Sequence, residues 1–314
     1  MQIFDSLQDF SSVYDNCVAT IGKYDGMHLG HQYILENVLQ KAREMNLPSV
    51  VILSEPQPEE FFAGNDKAPA RLTHFQDKVS FLESFGIDVI YRLNFDQALS
   101  EMSADDFIKH HLVEGLGVKA LVVGHDFAFG HKRSGNVATL IEAGKVFDFK
   151  VSEIDPQIAG SNRISSTLVR ELLKQGDCAG VTNLLGRPYS ISGKVIQGKQ
   201  LGRKLSFATA NIALQGDKSA VAGVFVVSAS LMTNDKKIPG VANVGVRPTV
   251  DSSKQVFLEV HLLDFSGDIY DQTLTVNFLH KIRDEMKFEN VDVLKTQISK
   301  DVEVALTWLE KNDV

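Results

Sequence analysis

Up to residue 185 the chain alternates short apolar runs with amphipathic stretches. The apolar runs are 18–21, 50–53, 89–93, 120–123 and 149–151, and helix-like segments 31–45, 75–85, 104–116 and 138–147 lie among them. In the first of these, Ile34, Leu35, Val38 and Leu39 recur at helical spacing. Strand-helix-strand alternation predicts an α/β unit with an open parallel sheet and helices on both faces. Two more short helical patterns follow, at 168–173 and 179–185. The texture changes at Gly186-Arg187-Pro188, where segments become shorter, richer in Val, Ile, Thr and Phe, and divided by Gly, Asn-Asp and Pro. Runs 224–228, 241–246, 256–263 and 274–279 predict strands of an antiparallel barrel or sandwich. A last helix is expected over 291–309, with Val293, Leu294, Ile298, Val302, Leu306 and Leu309 on one face. The pattern thus divides the chain into 1–185 and 186–314.

Composition agrees. At 314 residues the chain is about twice an ordinary domain. Its 44% hydrophobic and 23% charged residues suit a soluble globular protein. No apolar run approaches the ~18 residues of a membrane span. The opening Met1-Gln2-Ile3-Phe4-Asp5 has neither a basic region nor an apolar stretch, so a cytoplasmic location is expected. Two distant cysteines, Cys17 and Cys178, make neither a disulfide framework nor a metal-type spacing. The net charge of −8 argues against nucleic-acid and anionic-membrane partners but leaves a local phosphate site open.

Such a site is expected at Gly22-Lys23-Tyr24-Asp25-Gly26-Met27-His28-Leu29-Gly30-His31, between the first strand and the first helix. Glycines let the backbone approach a ligand, and a helix start offers unpaired N–H groups. His28 and His31 could donate hydrogen bonds to charge developing on a phosphate, or could cap and support the helix. Arg163-Ile164-Ser165-Ser166-Thr167-Leu168-Val169-Arg170 is a second candidate: Ser166 and Thr167 could cap a helix or bind phosphate. Arg170, one turn later, could reach the same anion or be an ordinary surface arginine. In the loop Val123-Gly124-His125-Asp126-Phe127-Ala128-Phe129-Gly130, Asp126 could bind a hydroxyl. Phe127 and Phe129 could face an aromatic ring or simply be core. Segment 55–62 reads as a stiff loop whose Phe62 could add an aromatic face.

Together these motifs resemble the bacterial bifunctional riboflavin kinase/FAD synthetase family through nearly the whole chain. The resemblance implies a Rossmann-like nucleotidylyltransferase domain that adenylylates FMN with ATP and releases pyrophosphate. It places His28, His31, Ser166, Thr167 and Arg170 at the ATP phosphates, with Gly22, Asp25, Gly26, Gly30 and Arg163 in the same nucleotide site. Asp126, Phe127, Phe129 and Phe62 fall toward the flavin.

The second half carries a glycine-spaced basic loop, Gly193 to Arg203, that could wrap phosphates with Gly198 and Arg203. In Leu205-Ser206-Phe207-Ala208-Thr209-Ala210-Asn211, Thr209 and Asn211 share a strand face and could present oxygens to Mg²⁺; a plain strand edge is the alternative. Glu259 and His261 share a face of Leu258-Glu259-Val260-His261-Leu262, where Glu259 could be a general base or a solvent-facing carboxylate. These segments resemble the riboflavin kinase barrel. That resemblance makes Thr209 and Asn211 the Mg-ATP ligands, Glu259 the base for the ribityl 5′-hydroxyl, and Arg283 a flavin-side residue. The family pattern Gly-Phe-Pro-Thr-Ala-Asn has Ser206 and Ala208 here in place of Gly and Pro, so the loop should be freer and the kinase weaker. The expected function is two ATP-dependent steps, riboflavin to FMN and FMN to FAD, on small-molecule substrates. The alternatives are a single FMN adenylyltransferase with a flavin-binding barrel, or a non-catalytic flavin binder. Self-association is not fixed by the sequence.

Overall fold

The computed structural model describes residues 1–314 except 65–66, 161, 198–208, 215–217, 232–233, 249–253 and 313–314. The chain forms two compact units, Met1–Pro69 with Phe75–Ser165, and Ala70–His74 with Ser166–Val314.

The first unit runs β1 (Gln2–Phe4), α1 (Leu7–Ser11), β2 (Cys17–Gly22), α2 (Leu29–Met45), β3 (Ser49–Glu55), α3 (Pro58–Ala63), α4 (Phe75–Phe85) and β4 (Val89–Asn94). It continues through α5 (Gln97–Glu101), α6 (Ala104–Phe107), β5 (Val118–Gly124), β6 (Ala128–Phe129), β7 (Gly135–Asn136), α7 (Val137–Phe147), β8 (Lys150–Ile154), β9 (Ile158–Ala159) and β10 (Asn162–Arg163). Six strands form one parallel sheet in the order β1-β4-β3-β2-β5-β8. Its strands read as unbroken apolar runs because both faces are covered. Ala19, Ile21, Val50, Ile52 and Leu121 pack on one side with Leu112 and Leu140. Val51, Leu53 and Ile90 pack on the other with Leu35 and Leu82. From β2 the chain adds β3 and β4 on one side, then returns to place β5 and β8 on the other. The order reverses between β2 and β5, and ligands of open α/β sheets bind at such a crevice, outside the strands' carboxyl ends.

Two expectations change here. Segment 104–116 is not one α-helix: after α6 it continues as a π-helical stretch, Ile108–Gly115. The wider i→i+5 turn carries Ile108, Leu112 and Leu116 all into the core. Nor is 55–62 a loop throughout, since α3 begins at Pro58. Proline suits a first helical position, Glu59 and Glu60 suit the positive end, and the Gln57 backbone N–H donates to Glu60 Oε2 at 2.9 Å.

The second unit opens with α8 (Ser166–Gln175) and α9 (Cys178–Leu185). Then β11 (Tyr189–Ile196), β12 (Ala210–Ile212), β13 (Gly223–Leu231), β14 (Asn234–Pro248), β15 (Lys254–Leu262) and β16 (Thr273–Arg283) close into a barrel of order β11-β12-β15-β14-β13-β16. Alternation sorts its side chains. Phe225 and Phe278 meet edge-on at 5.2 Å among the fully buried residues, and Val256, Leu258 and Val260 are buried with them. Outside, α10 (Val291–Lys311) covers Val224, Val226 and Val241 with Ala305 and Leu309.

The face expected for that last helix is corrected. Val293 and Leu306 are exposed, at 46% and 43%, while Asp301 and Ala305 are buried with Leu309. The helix turns this way because Asp301 has a partner: Arg283 grips it through Nε and Nη2 at 3.0 and 2.7 Å, and Gln297 Nε2 adds a donor at 2.9 Å. Truncating one member of a buried pair strands the other, at about 3–5 kcal/mol. Asp301→Ala is therefore expected to lower the barrel's denaturant midpoint sharply, whereas Leu306→Ala, on the exposed side, should leave it nearly unchanged.

Candidate active sites

The turn between β2 and α2 sits at the sheet's reversal and is tightly folded. Tyr24, Gly26 and Met27 all have positive φ, at 49°, 89° and 48°. Such conformations persist only where the surroundings impose them, and they concentrate at functional sites. Here the surroundings are visible. Tyr24 folds back over Gly22, where a Cβ would meet its ring at 3.1 Å, and its hydroxyl bonds buried Thr20 Oγ1 at 2.7 Å.

His28 is the N-cap of α2, its Nδ1 accepting the His31 backbone N–H at 3.2 Å. Its proton therefore resides on Nε2. The two imidazoles stack with centroids 3.7 Å apart, and Tyr24 lies against His31 at 4.9 Å. Burial lowers the His28 pKa to about 4, with Arg163 adding to the effect. Burial, then His28, Lys78 and Lys23, hold His31 well below its ordinary value. Both rings are thus neutral donors at pH 7 rather than cations. His31 Nδ1 is sealed and has no hydrogen-bond partner among the described residues. Asp25 is buried in the same turn, Lys23 pairs with Glu59, and fully buried Lys78 reaches Glu55 at 3.3 Å.

The adjacent strand end, after β5, brings Asp126 within 2.7 Å of Arg163, so residues expected at different ligands form one half-exposed ion pair. Phe127 and Phe129 stack at 5.5 Å with a 14° angle. Phe129 is buried against Phe107, while Phe127 keeps part of its face accessible. Phe62 is 69% exposed and meets Phe61 and Phe95 edge-on. Gln157, which no motif marked, lies beside Gly30. It comes from a loop distant in sequence, and nothing local signals it.

In the second unit Ser166 opens α8 and is half-buried, Thr167 is exposed, and Arg170 Nε donates to the Ala70 carbonyl at 2.8 Å. Gly198, Arg203, Ser206 and Ala208 lie outside the described residues. Thr209 stands just before β12 and Asn211 is the middle residue of β12, and both are half-buried. The register then places Asn211 directly opposite Glu259, and Glu259 directly opposite Asn243 of β14. Three polar side chains on three neighbouring strands share the outer barrel face, each half-buried, over a floor of buried Leu258 and Val260. In the next row Gly245 faces Phe257, and a Cβ on Gly245 would collide with the Glu285 carboxylate. The segment after β16 therefore crosses back onto this face. Arg283 itself is spent on Asp301 and lies 5.7 Å from the Phe288 ring centre.

Asn211 and Thr209 offer a carboxamide oxygen and a hydroxyl, the hard donors that a hard divalent cation takes alongside phosphate and water. The residues fit such an ion. Among the described residues no cluster of three His, Cys, Asp or Glu offers an all-protein metal site.

Residues 11–168 match the family model described as FAD synthetase, and 185–309 match the one described as riboflavin kinase. A protein of Haemophilus influenzae named bifunctional riboflavin kinase/FMN adenylyltransferase is 47% identical over 305 residues, 97% of this chain and 98% of its own. One of the same name from Escherichia coli K12 is 44% identical over 91% of each chain. A crystal structure from Streptococcus pneumoniae, described as a macrolide-efflux protein, matches with a TM-score of 0.82 at 28% identity, covering 98% of both chains. Among the described residues of the present chain no helix is long and apolar enough to cross a membrane.

Proposed function

The chain belongs to the bifunctional riboflavin kinase/FMN adenylyltransferase family, and from that premise we propose which of its residues serve each reaction. It phosphorylates riboflavin to FMN with ATP and adenylylates FMN to FAD with a second ATP. We assign the adenylyl transfer to 1–185 and the phosphorylation to 186–314. The carrying observation is the row Asn211–Glu259–Asn243, which sets a half-buried carboxylate between two carboxamides on neighbouring strands of the barrel.

In the kinase step Glu259 accepts the proton of the ribityl 5′-hydroxyl as its oxygen bonds to the γ-phosphorus. The bond from that phosphorus to the β-phosphate oxygen breaks, and ADP leaves. Thr209 and Asn211 would hold Mg²⁺, which when bound neutralises charge on the transferred phosphoryl group. Gly198 and Arg203 would lie along the phosphates, and Arg283 would support the flavin side through its anchoring on α10. In the second step a phosphate oxygen of FMN attacks the ATP α-phosphorus, and pyrophosphate departs. His28 and His31 would donate N–H groups to the phosphate oxygens, strengthening as charge builds there. Gly22, Gly26 and Gly30 would admit the nucleotide closely, with Asp25 and Arg163 beside it. Ser166, Thr167 and Arg170 would bind ATP phosphates, an assignment that rests on their motif. Asp126, Phe127 and Phe62 would face the flavin, with Phe129 supporting Phe127 from the core. Both cysteines are free and buried, in keeping with a cytoplasmic setting.

Purified chain incubated with Mg²⁺-ATP and either riboflavin or FMN should yield FAD from both, with FMN appearing transiently from riboflavin. FAD from FMN but no product from riboflavin would leave a single adenylyltransferase and point to Ser206 and Ala208.

A further inference from the structure

We infer that Lys78 is a positioning residue of the adenylyl-transfer site, acting from within the fold on Glu55 and on the His31 imidazole. The inference rests on the assignment of His31 to the ATP phosphates and adds a residue that no motif marked. Lys78 is the fourth residue of α4, and its side chain is fully buried. Two general preferences oppose it there. Lysine is almost never fully buried unless paired, and a cation in the first turn of a helix meets the positive end of the macrodipole. Residues that break such local rules are expected at functional sites.

The surroundings show what the charge can serve. Lys78 Nζ donates to Glu55 Oε1 at 3.3 Å. Glu55 ends β3, two residues past Leu53, which pairs with Gly22 at the end of β2, so the ion pair lies at the carboxyl edge of the sheet beside the phosphate turn. One turn along α4, Leu82 is buried in one cluster with Tyr24 and Met27 of that turn, and Tyr24 lies against His31. The buried face of α4 therefore packs toward the turn. There the Lys78 charge is felt at His31, where it opposes a second proton on the ring.

That effect has a use. A neutral ring donates one hydrogen bond that strengthens as charge develops on the phosphate, whereas an imidazolium would already grip the ground-state triphosphate. Lys78 thus adds positive potential to the site without touching substrate, and keeps His31 a neutral donor. The other titratable and charged groups around the ring are His28, stacked on it, Tyr24, buried Asp25, and Lys23 with its partner Glu59. Glu55 pairs with Lys78 itself, and Arg163 acts on His28.

The test uses the full chain and measures both reactions. Lys78→Met should lower kcat for FMN adenylylation about tenfold, with KM for ATP and FMN within about twofold. The acid limb of adenylylation should move to higher pH, because His31 then takes up a proton more readily. Riboflavin phosphorylation by the same polypeptide should be unchanged. The double variant Lys78→Met with Glu55→Gln removes both charges, leaves no carboxylate stranded, and stands in if the single variant does not fold. Its kcat loss and displaced acid limb should persist. Recovery of both in the double variant would reduce Lys78 to a counter-ion of Glu55 and overturn the inference. Unchanged adenylylation kinetics in both variants would overturn it too. His31→Asn, run alongside, separates the two levels. If it abolishes adenylylation while the Lys78 variants do nothing, only the positioning role fails; if it leaves adenylylation intact, the assignment of His31 fails first.

Discussion

Glu259→Gln should reduce riboflavin phosphorylation by about 10²–10⁴-fold while FAD formation from supplied FMN continues at its usual rate. The glutamine keeps the shape of the side chain and a hydrogen-bonding oxygen, but it cannot take the hydroxyl proton. Leu258 and Val260, fully buried on the opposite face, keep the strand seated whichever side chain stands at 259. Loss of folding is therefore not expected to mimic loss of chemistry, and adenylylation by the same polypeptide reports on integrity in the same tube. Riboflavin phosphorylation that persists in this variant would return Glu259 to the role of a solvated strand carboxylate. The effect should fall on kcat with little change in KM, because a base acts in the transition state and not in the ground-state complex.

His28→Asn should lower FMN adenylylation by about 10²–10³-fold with little change in melting temperature. The choice of asparagine separates two readings that coexist at this position. His28 caps α2 by accepting the His31 N–H. Asparagine is among the best N-cap residues, so the cap survives the change. What disappears is the Nε2–H donor, and a large rate loss then belongs to phosphate contact. An unaffected rate would leave the residue as a cap alone.

The pH dependence provides a second readout. Because burial holds His28 near 4 and His31 well below its ordinary value, both stay neutral as pH falls through 6.5. Neither should contribute an acid limb to adenylylation near pH 6.5. Stability behaves differently. In the unfolded chain both histidines take up protons below about 6.5, whereas the folded chain refuses them until lower pH. The unfolded state thus binds more protons in that window, and stability declines as pH drops from 6.5 toward 4. Thermal melts across this range should show the decline, and His28→Asn should make it shallower.

Several features of this protein were legible without coordinates because each is written in neighbouring residues. Apolar runs separated by amphipathic segments announce a parallel sheet, since strands covered on both faces have no polar side to show. Gly22 to His31 could be placed at a strand-to-helix turn from its spacing alone. Alternation in 256–263 put Glu259 and His261 together and turned Leu258 and Val260 away, and the barrel obeys it. Where the reading slipped, a distant partner outweighed a local preference. The last helix rolled away from Val293 and Leu306 because Arg283, at the end of β16, claims Asp301. Helix α3 forms where a loop is expected because Pro58, Glu59 and Glu60 together make a helix start.

By itself, then, the sequence determined the two fold classes, the strand and helix periods and the residue types available for phosphate chemistry. These follow from side-chain alternation and turn stereochemistry over a few residues. Only the tertiary structure decided which of those residues meet. Asp126 and Arg163 pair across 37 positions, and Gln157 comes to lie beside Gly30, because loops at the carboxyl ends of the sheet converge. Asn211, Glu259 and Asn243 fall in one row because strand register, set by closure of the whole barrel, aligns positions that no local pattern connects. The neutrality of His28 and His31 is of the same kind, since it arises from burial that the surrounding turn and helices impose.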